Sequence, residues 1–378
     1  MIHVALRMLT GDRLKYVGLV AGVAFAALLI TQQASIFAGF ARRTTAPLRD
    51  FAAGNPDVHL WVVDGQTEML DDIKNMSATA LDRVRSTPGV AWAVPMGKTY
   101  LQAKLPGGRV QTIRLIGLDD ASLVGGPPVV TRGSLADLRR ARAVMLPESQ
   151  IGGGALDLQV GERFSVNDNE VEVVGAFDQT AEFFWEPVAY TTYNRLLQVA
   201  PPERKRLTYV LVSVRDGEDV QAVAERIEAR TGHRAMTTDA LAAMTRSYVL
   251  EKTGILINFG ITIGLGVVIG LLVAGQTFYT FVLDNLRHFA ALKAMGAGPW
   301  VLLKMLLAQV TLVGLVGFGC GLLWACVTGY LFGFIDLAFE MLWFIPPLGA
   351  AATLGCCVVA GCLGLIRVLR LEPAVVFK

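Results

Sequence analysis

The chain has 378 residues, enough for two or three domains, and 34 Lys and Arg against 32 Asp and Glu leave a net charge of only +2. That balance provides no electrostatic footprint for a nucleic acid. At 53% apolar and 17% charged, the composition departs from the roughly 25% charged residues of soluble domains, and indicates a membrane protein with a soluble part.

In chain order, residues 1–15 place Ile2, Leu6 and Leu9 on one side of a helix and Arg7 on another, as in an interfacial segment along the inner leaflet. A membrane crossing takes roughly 20 apolar residues, and residues 16–40 supply the first such run. Its length, and the lack of an A-x-A-like site behind it, argue against a cleaved signal peptide.

Residues 41–252 have the composition of an ordinary globular domain with alternating strands and helices, an α+β pattern. Val58–Val63 is expected as a strand, and Ser77–Arg85 as a helix with Ser77 as N-cap. Ala93–Leu105 and Val110–Gly117 flank Pro106, Gly107 and Gly108 as a hairpin, and Arg163–Phe177 forms a second one around Asn167, Asp168 and Asn169. Thr208–Val214 alternates as a strand, and Glu218–Arg230 is a helix with Val220, Val223 and Ile227 on one face. This segment holds no cysteine, so its stability comes from its core. From Thr238 the helical pattern meets no proline before the next apolar run. It predicts a rigid stalk continuous to Leu283, about 69 Å long at roughly 1.5 Å per residue, with a joint at Gly254 as the alternative.

Three more spans follow at residues 253–283, 301–332 and 343–369. The loop 284–300 carries Arg287 and Lys293, with Lys304 just beyond, whereas the loop 333–342 carries Asp336 and Glu340 and no Lys or Arg. The C-terminal end carries Arg367, Arg370 and Lys378, the last two in the tail 370–378. The positive-inside rule then puts the loop 284–300 and the C-terminus in the cytoplasm, and parity puts the N-terminus there and residues 41–252 outside. The first span does not discriminate, since Arg42, Arg43 and Arg49 balance Arg7, Arg13 and Lys15. Trp300 and Trp343 fall at interfaces. The interiors of the last three spans lack charge, so no ion path is evident. Small residues four apart, Gly18 and Gly22, Gly260 and Gly264, and Gly266, Gly270 and Ala274, allow close helix packing, within one chain or between two.

The sequence offers no catalytic constellation. Gly97, Lys98 and Thr99 look like the end of a phosphate loop, but the required first glycine is Trp92. Gly152 to Gly154 suits a turn, and there is no G-x-S-x-G elbow. Asp71 with Asp72, and Asp119 with Asp120, sit at turns and are expected to be solvated. His3, His59, His233 and His288 match no zinc spacing, and Cys320, Cys326, Cys356, Cys357 and Cys362 lie in apolar runs as small apolar residues. Phe183, Phe184 and Trp185 beside Glu182 and Glu186 form an aromatic cluster that is either a substrate surface or a buried corner; Tyr248 and Glu251, near the outer membrane surface, are similarly open.

Gly275 to Thr280 (GQTFYT) and Ala290 to Gly296 (AALKAMG) closely resemble two segments of the DevC-type branch of the MacB/FtsX-like ABC exporter permeases. Leu60 to Gly65 and Val144 to Phe177 resemble that family's extracytoplasmic domain, and the plan of one span, a large domain and three spans agrees. The resemblance implies four transmembrane helices with an α+β MacB-like periplasmic core domain between the first and second, in a bacterial inner membrane. It implies a non-catalytic permease, homodimeric, served from the cytoplasm by two copies of an ABC ATPase subunit that holds the ATP and Mg2+, with no cofactor bound by the permease. DevC-type members are further similar in pairing with a membrane-fusion protein and an outer-membrane channel. By the same analogy Asp284 to Gly298 is a coupling helix. Its Leu286, Phe289, Ala290, Leu292 and Met295 would insert into the ATPase, with Asp284, Arg287, Lys293 and Gly296 completing the segment. The implied function is mechanotransmission, in which ATP hydrolysis outside this chain drives export or extraction of an amphiphile (a lipid, glycolipid, haem-like or hydrophobic drug-like compound). The open alternative is an FtsX-like signalling permease that regulates an extracytoplasmic hydrolase.

Overall fold

The computed structural model describes residues 7–9, 11, 13–183, 186–201, 207–335 and 337–369. Ile2, Leu6, Phe184, Trp185, Asp336, Arg370 and Lys378 lie outside them. The chain divides into two compact units, Met1–Ala41 with Gly254–Lys378, and Arg42–Thr253.

The unit Arg42–Thr253 is built on a ten-stranded sheet. Its strands are β1 (Leu60–Val63), β2 (Val90–Lys104), β3 (Val110–Leu118), β4 (Val129–Arg132), β5 (Ala143–Pro147), β6 (Arg163–Val166), β7 (Asn169–Asp178), β8 (Val188–Thr192), β9 (Tyr209–Val214) and β10 (Arg234–Met236). They run in the order β10-β1-β9-β2-β3-β8-β5-β7-β4, with β6 against β2 and β7. The long strand β2 joins the two halves: Val90 to Met96 pair with β9, and Gly97 to Lys104 pair with β3. The β2–β3 turn uses Gly107 and Gly108 at positive φ, and the β6–β7 turn has Asn167 and Asp168 both left-handed, the geometry that suits the right-handed twist of a hairpin. Helices α1 (Arg13–Arg43), α2 (Ala46–Gly54), α3 (Thr79–Arg85), α4 (Tyr193–Val199), α5 (Val220–Thr231) and α6 (Thr238–Ser247) complete the sequence up to Ser247. Both predicted hairpins are present. Helix α5 is capped by Asp219, whose carboxylate accepts from the Ala222 N–H at 3.0 Å, and it buries Val223 and Ile227 as expected. Ser77 does not cap α3: its hydroxyl bonds that of Thr79 at 2.8 Å, and the N-cap position falls to Ala78.

The predicted unbroken stalk is corrected. Helix α6 ends at Ser247, a wide π-type turn spans Tyr248–Lys252, and Gly254 is left-handed at φ 72° before the next helix begins. A left-handed residue cannot continue an α-helix, and glycine adopts that conformation without a Cβ penalty. Gly254 is therefore a joint. Helix α6 itself is fixed to its own unit: Thr237 caps it, Leu241 is buried, Trp61 Nε1 donates to Thr238 Oγ1 at 3.1 Å, and the Leu70 N–H donates to Thr245 Oγ1 at 3.0 Å.

The other unit contains α1 together with α7 (Ile255–Asp284), α8 (Leu286–Ala294), α9 (Pro299–Gly333) and α10 (Ile345–Leu369). Among the described residues four helices, α1, α7, α9 and α10, are long and apolar enough to cross a membrane. Helices α7 and α9 pack on α10, and glycines set the closest approaches. A Cβ on Gly321 would lie 2.5 Å from the Ala24 carbonyl oxygen, and one on Gly270 would lie 2.9 Å from the Ala26 Cβ. Gly266 also faces α1, and Ala274 is buried, whereas Gly260 and Gly264 meet nothing within 4 Å. The small-residue row thus splits, its lower part serving contacts within the chain. Gly321→Ala is expected to destabilise the helix bundle by about 1–3 kcal/mol through overpacking, while Gly319→Ala, which meets nothing within 4 Å, leaves it unchanged. Thermal unfolding of the two purified variants checks this.

Candidate functional site

Two arrangements stand out, one in each unit. In the helical unit, α7 ends at Asp284, and Asn285 is both its C-cap and the N-cap of α8. Helix α8 ends at Ala294, Gly296 follows at φ 94°, and Pro299 opens α9. This glycine lets the chain leave α8 and enter α9 across the four residues 295–298. Phe289 and Ala290 turn inward: Phe289 is 2% exposed and packs in a cluster with Phe278, Phe281, Val282, Leu302 and Leu306. Leu292 packs against the same cluster. The expected inserting face is divided within the chain: Phe289, Ala290 and Leu292 pack on the bundle, and Met295 stays outside it. Arg287, His288, Ala291 and Met295 are left outward, Met295 at 75% exposure, with Trp300 beyond. Lys293 is half-buried, and Asp284 pairs with Lys15 at 2.8 Å.

The sheet unit holds a buried ionic cluster. Lys98 and Tyr100 project from β2 and Arg114 from β3, opposite Tyr100. Asp71 comes from the connection between β1 and α3, and Glu182 from the segment between β7 and β8. Asp71 pairs with Lys98 and, at 3.2 Å, with Arg114; Arg114 also pairs with Glu182, and the Tyr100 hydroxyl donates to Asp71 at 3.3 Å. The side chains of Arg114 and Asp71 are 2% and 7% exposed. Next to it, Tyr209 donates to the Leu70 carbonyl, and the rings of Phe51, Trp61 and Tyr209 meet in sequence, tilted at 4.4 Å and edge-on at 5.4 Å. The helices contiguous with the first two spans, α2 through Phe51 and α6 through Thr238 and Thr245, are thus held by one aromatic and ionic core.

Burial and pairing compete in this cluster. Burial works to raise the Asp71 carboxyl, but Lys98 and Arg114 outweigh it and hold the group below its usual range. Burial prevails at Glu182, pushing its carboxyl up against the pull of Arg114, and at Lys98, pushing its ammonium down against Asp71. The two carboxylates therefore act oppositely with pH. Asp71, depressed, stabilises the fold above its unfolded value of 3.8, and that contribution is lost as the pH falls through the lower folded value. Glu182, raised, contributes below 4.5 and loses that contribution as the pH rises through its higher folded value. Titration of the full chain followed by hydrogen exchange is expected to show the connection around Leu70 loosening only below pH 3.8.

The turn position of Asp71 suggests solvation and Lys98 resembles part of an incomplete phosphate loop, yet the fold buries both in this cluster. The usable signal was Arg114, a charge set in the apolar run Ile113 to Ile116. Asp72 is half-buried and pairs with Lys74 at 3.3 Å. Among the described residues no group of His, Cys, Asp and Glu is arranged to hold a metal ion.

Comparison with known families agrees with this plan. The model for the MacB-like periplasmic core domain matches residues 17–230, over half of the chain, and that for the FtsX-like permease C-terminal region matches residues 260–373. The chain belongs to the MacB/FtsX-like ABC permeases: it is a non-catalytic, multi-pass permease subunit with an extracytoplasmic domain, and its family implies an ATPase partner. No curated protein matches the sequence. Among solved structures, the extracellular domain of the noncanonic ABC-type transporter YknZ from Gram-positive bacteria is 14% identical, with 48% of this chain and 98% of that one covered and a TM-score of 0.35. The periplasmic region of MacB from Actinobacillus actinomycetemcomitans is 15% identical over 51% of this chain and 94% of that one, with a TM-score of 0.37. A permease-protein domain from Porphyromonas gingivalis is 15% identical over 50% and 90%, with a TM-score of 0.33.

Proposed function

We propose that this permease is of the DevC type and exports or extracts an amphiphile by mechanotransmission. Two copies of a separate ATPase subunit, which hold ATP and Mg2+, engage the segment Asp284 to Gly296 from the cytoplasm, where both termini of the permease also lie. The observation that carries this reading is the two-sided build of α8. Its inner face, Phe289 and Ala290, is buried in the helical bundle, so a push on its outer face, Arg287, His288 and Met295, moves α7 and α9 with it. Motion then reaches the exported domain along the chain, through α1 into α2 and through the joint at Gly254 into α6.

A homodimer fits the least buried span. Within the chain α7 is covered least of the four apolar helices. Ile257, Ile261, Leu265, Val268 and Leu272 are exposed along α7, and among the described residues nothing lies within 4 Å of a Cβ on Gly260 or Gly264. A membrane-fusion protein and an outer-membrane channel complete the machine in the DevC-type plan. Charge-free apolar spans make a bilayer-facing route more economical than an aqueous channel for the cargo. The permease with its ATPase in nanodiscs is expected to hydrolyse ATP several-fold faster with an amphiphilic substrate. Stimulation only by an extracytoplasmic protein such as a hydrolase would instead establish the signalling role.

A further inference from the structure

We propose that the helical unit binds the phosphate head group of an anionic phospholipid where α7 turns into α8. A cavity of about 470 Å³ lies there, lined by Arg7, Lys15 and His288 among others. Among the described residues of its lining the one carboxylate is Asp284, which pairs with Lys15 and leaves the Arg7 guanidinium as the net charge of that wall. The N-terminus of α8 opens on the same space. Its N-cap, Asn285, makes no side-chain cap; the amide instead donates backward to the Phe281 carbonyl at 2.9 Å. An anion placed there meets the cationic side chains, and the N-terminal turn of α8 counters the carbonyl end of α7.

The remaining wall is apolar. Leu9 and Phe281 belong to the packed core of the bundle and also line the cavity. Beside Lys15, Leu14 and Val17 point outward at 87% and 63% exposure, a surface suited to an acyl chain. Cationic groups and a helix N-terminus above an apolar strip at the end of a span match a phosphodiester carried on a lipid better than an acidic protein segment, which has no use for the strip. Arg7 and Lys15 thus tie the N-terminal segment to the lipid surface and to the base of α8. Placement in the cytoplasmic leaflet rests on the orientation proposed above.

The test uses the full-length chain, reconstituted in phosphatidylcholine with roughly one-fifth phosphatidylglycerol, extracted gently and weighed with its lipids by native mass spectrometry. The wild type is expected to retain phosphatidylglycerol in preference to phosphatidylcholine, and Arg7→Gln with Lys15→Gln to reduce that retention about fivefold or more. Arg13→Gln, exposed and outside the cavity lining, is expected to retain it fully. Equal retention of the two lipids, or equal loss in the Arg13 control, overturns the proposal. Displacement by soluble glycerol phosphate, with no preference between the lipids, overturns the lipid as source and leaves a free phosphate site. Because the readout needs no ATPase, its failure is separable from failure of α8 to bind one, which co-purification measures on the same variants.

Discussion

Asp71→Asn is expected to loosen the exported domain by about 3–5 kcal/mol, the usual cost of removing one partner from a buried ion pair. Asn keeps the size of the side chain and removes its charge. Arg114 then keeps Glu182 while Lys98 loses its paired carboxylate, in a site where the Arg114 side chain is only 2% exposed. Lys98, whose ammonium burial already disfavours, gives up its proton or draws in water. Since Leu70 next to Asp71 bonds Thr245 of α6 and Tyr209 of β9, the loss spreads to the helix that leads toward the second span. Hydrogen exchange in α6 and around Leu70 is the local readout, with acceleration by about two to three orders of magnitude. The double change Asp71→Leu with Lys98→Met removes a cation and an anion together, leaves Arg114 paired with Glu182, and recovers much of the loss. A change below about 1 kcal/mol in Asp71→Asn, the range of an exposed pair, would show that the cluster carries no strain between sheet and helices.

The second large effect concerns α8. Arg287→Glu with Met295→Glu changes its outward face and is expected to cut co-purification of the ATPase at least tenfold while membrane insertion and the exported domain stay intact. Phe289→Asp acts differently: it buries a carboxylate among Phe278, Phe281 and Leu302 and is expected to lower the amount of folded permease itself. From sequence alone Phe289 and Met295 look equivalent, both part of one inserting face with Arg287 at its polar rim. The bundle separates them, because a short helix between two spans must first be anchored before it can be pushed.

What the sequence made legible follows from local physics. The four apolar runs, the two hairpins with their Gly and Asn turns, and α5 with its Asp219 cap and Gly232 stop each carry their signal within a dozen or so residues. Strands β5 and β8 are short, and their burial depends on neighbours far along the chain: β8 pairs in parallel with β3 and β5 with β7. The ionic cluster has the same character, since Asp71, Lys98, Arg114 and Glu182 come from four separate segments and no spacing joins them. Asp71 at a turn looks solvated until the sheet brings two cations over it. The stalk failed for a subtler reason. Its helical pattern is unbroken by proline, yet one glycine takes the left-handed conformation and a wide turn precedes it. Gly321, which sets the contact between α1 and α9, stands four residues from Gly317, a spacing as readable as the one at Gly266 and Gly270.

Sided cross-linking at position 295 tests the coupling claim most directly. In a chain whose five native cysteines are replaced, Met295→Cys is expected to resist an impermeant thiol reagent applied outside intact cells, and to cross-link to the ATPase subunit once the cytoplasmic face is opened. Labelling from the outer medium, or no cross-link in a complex that still hydrolyses ATP, would contradict it.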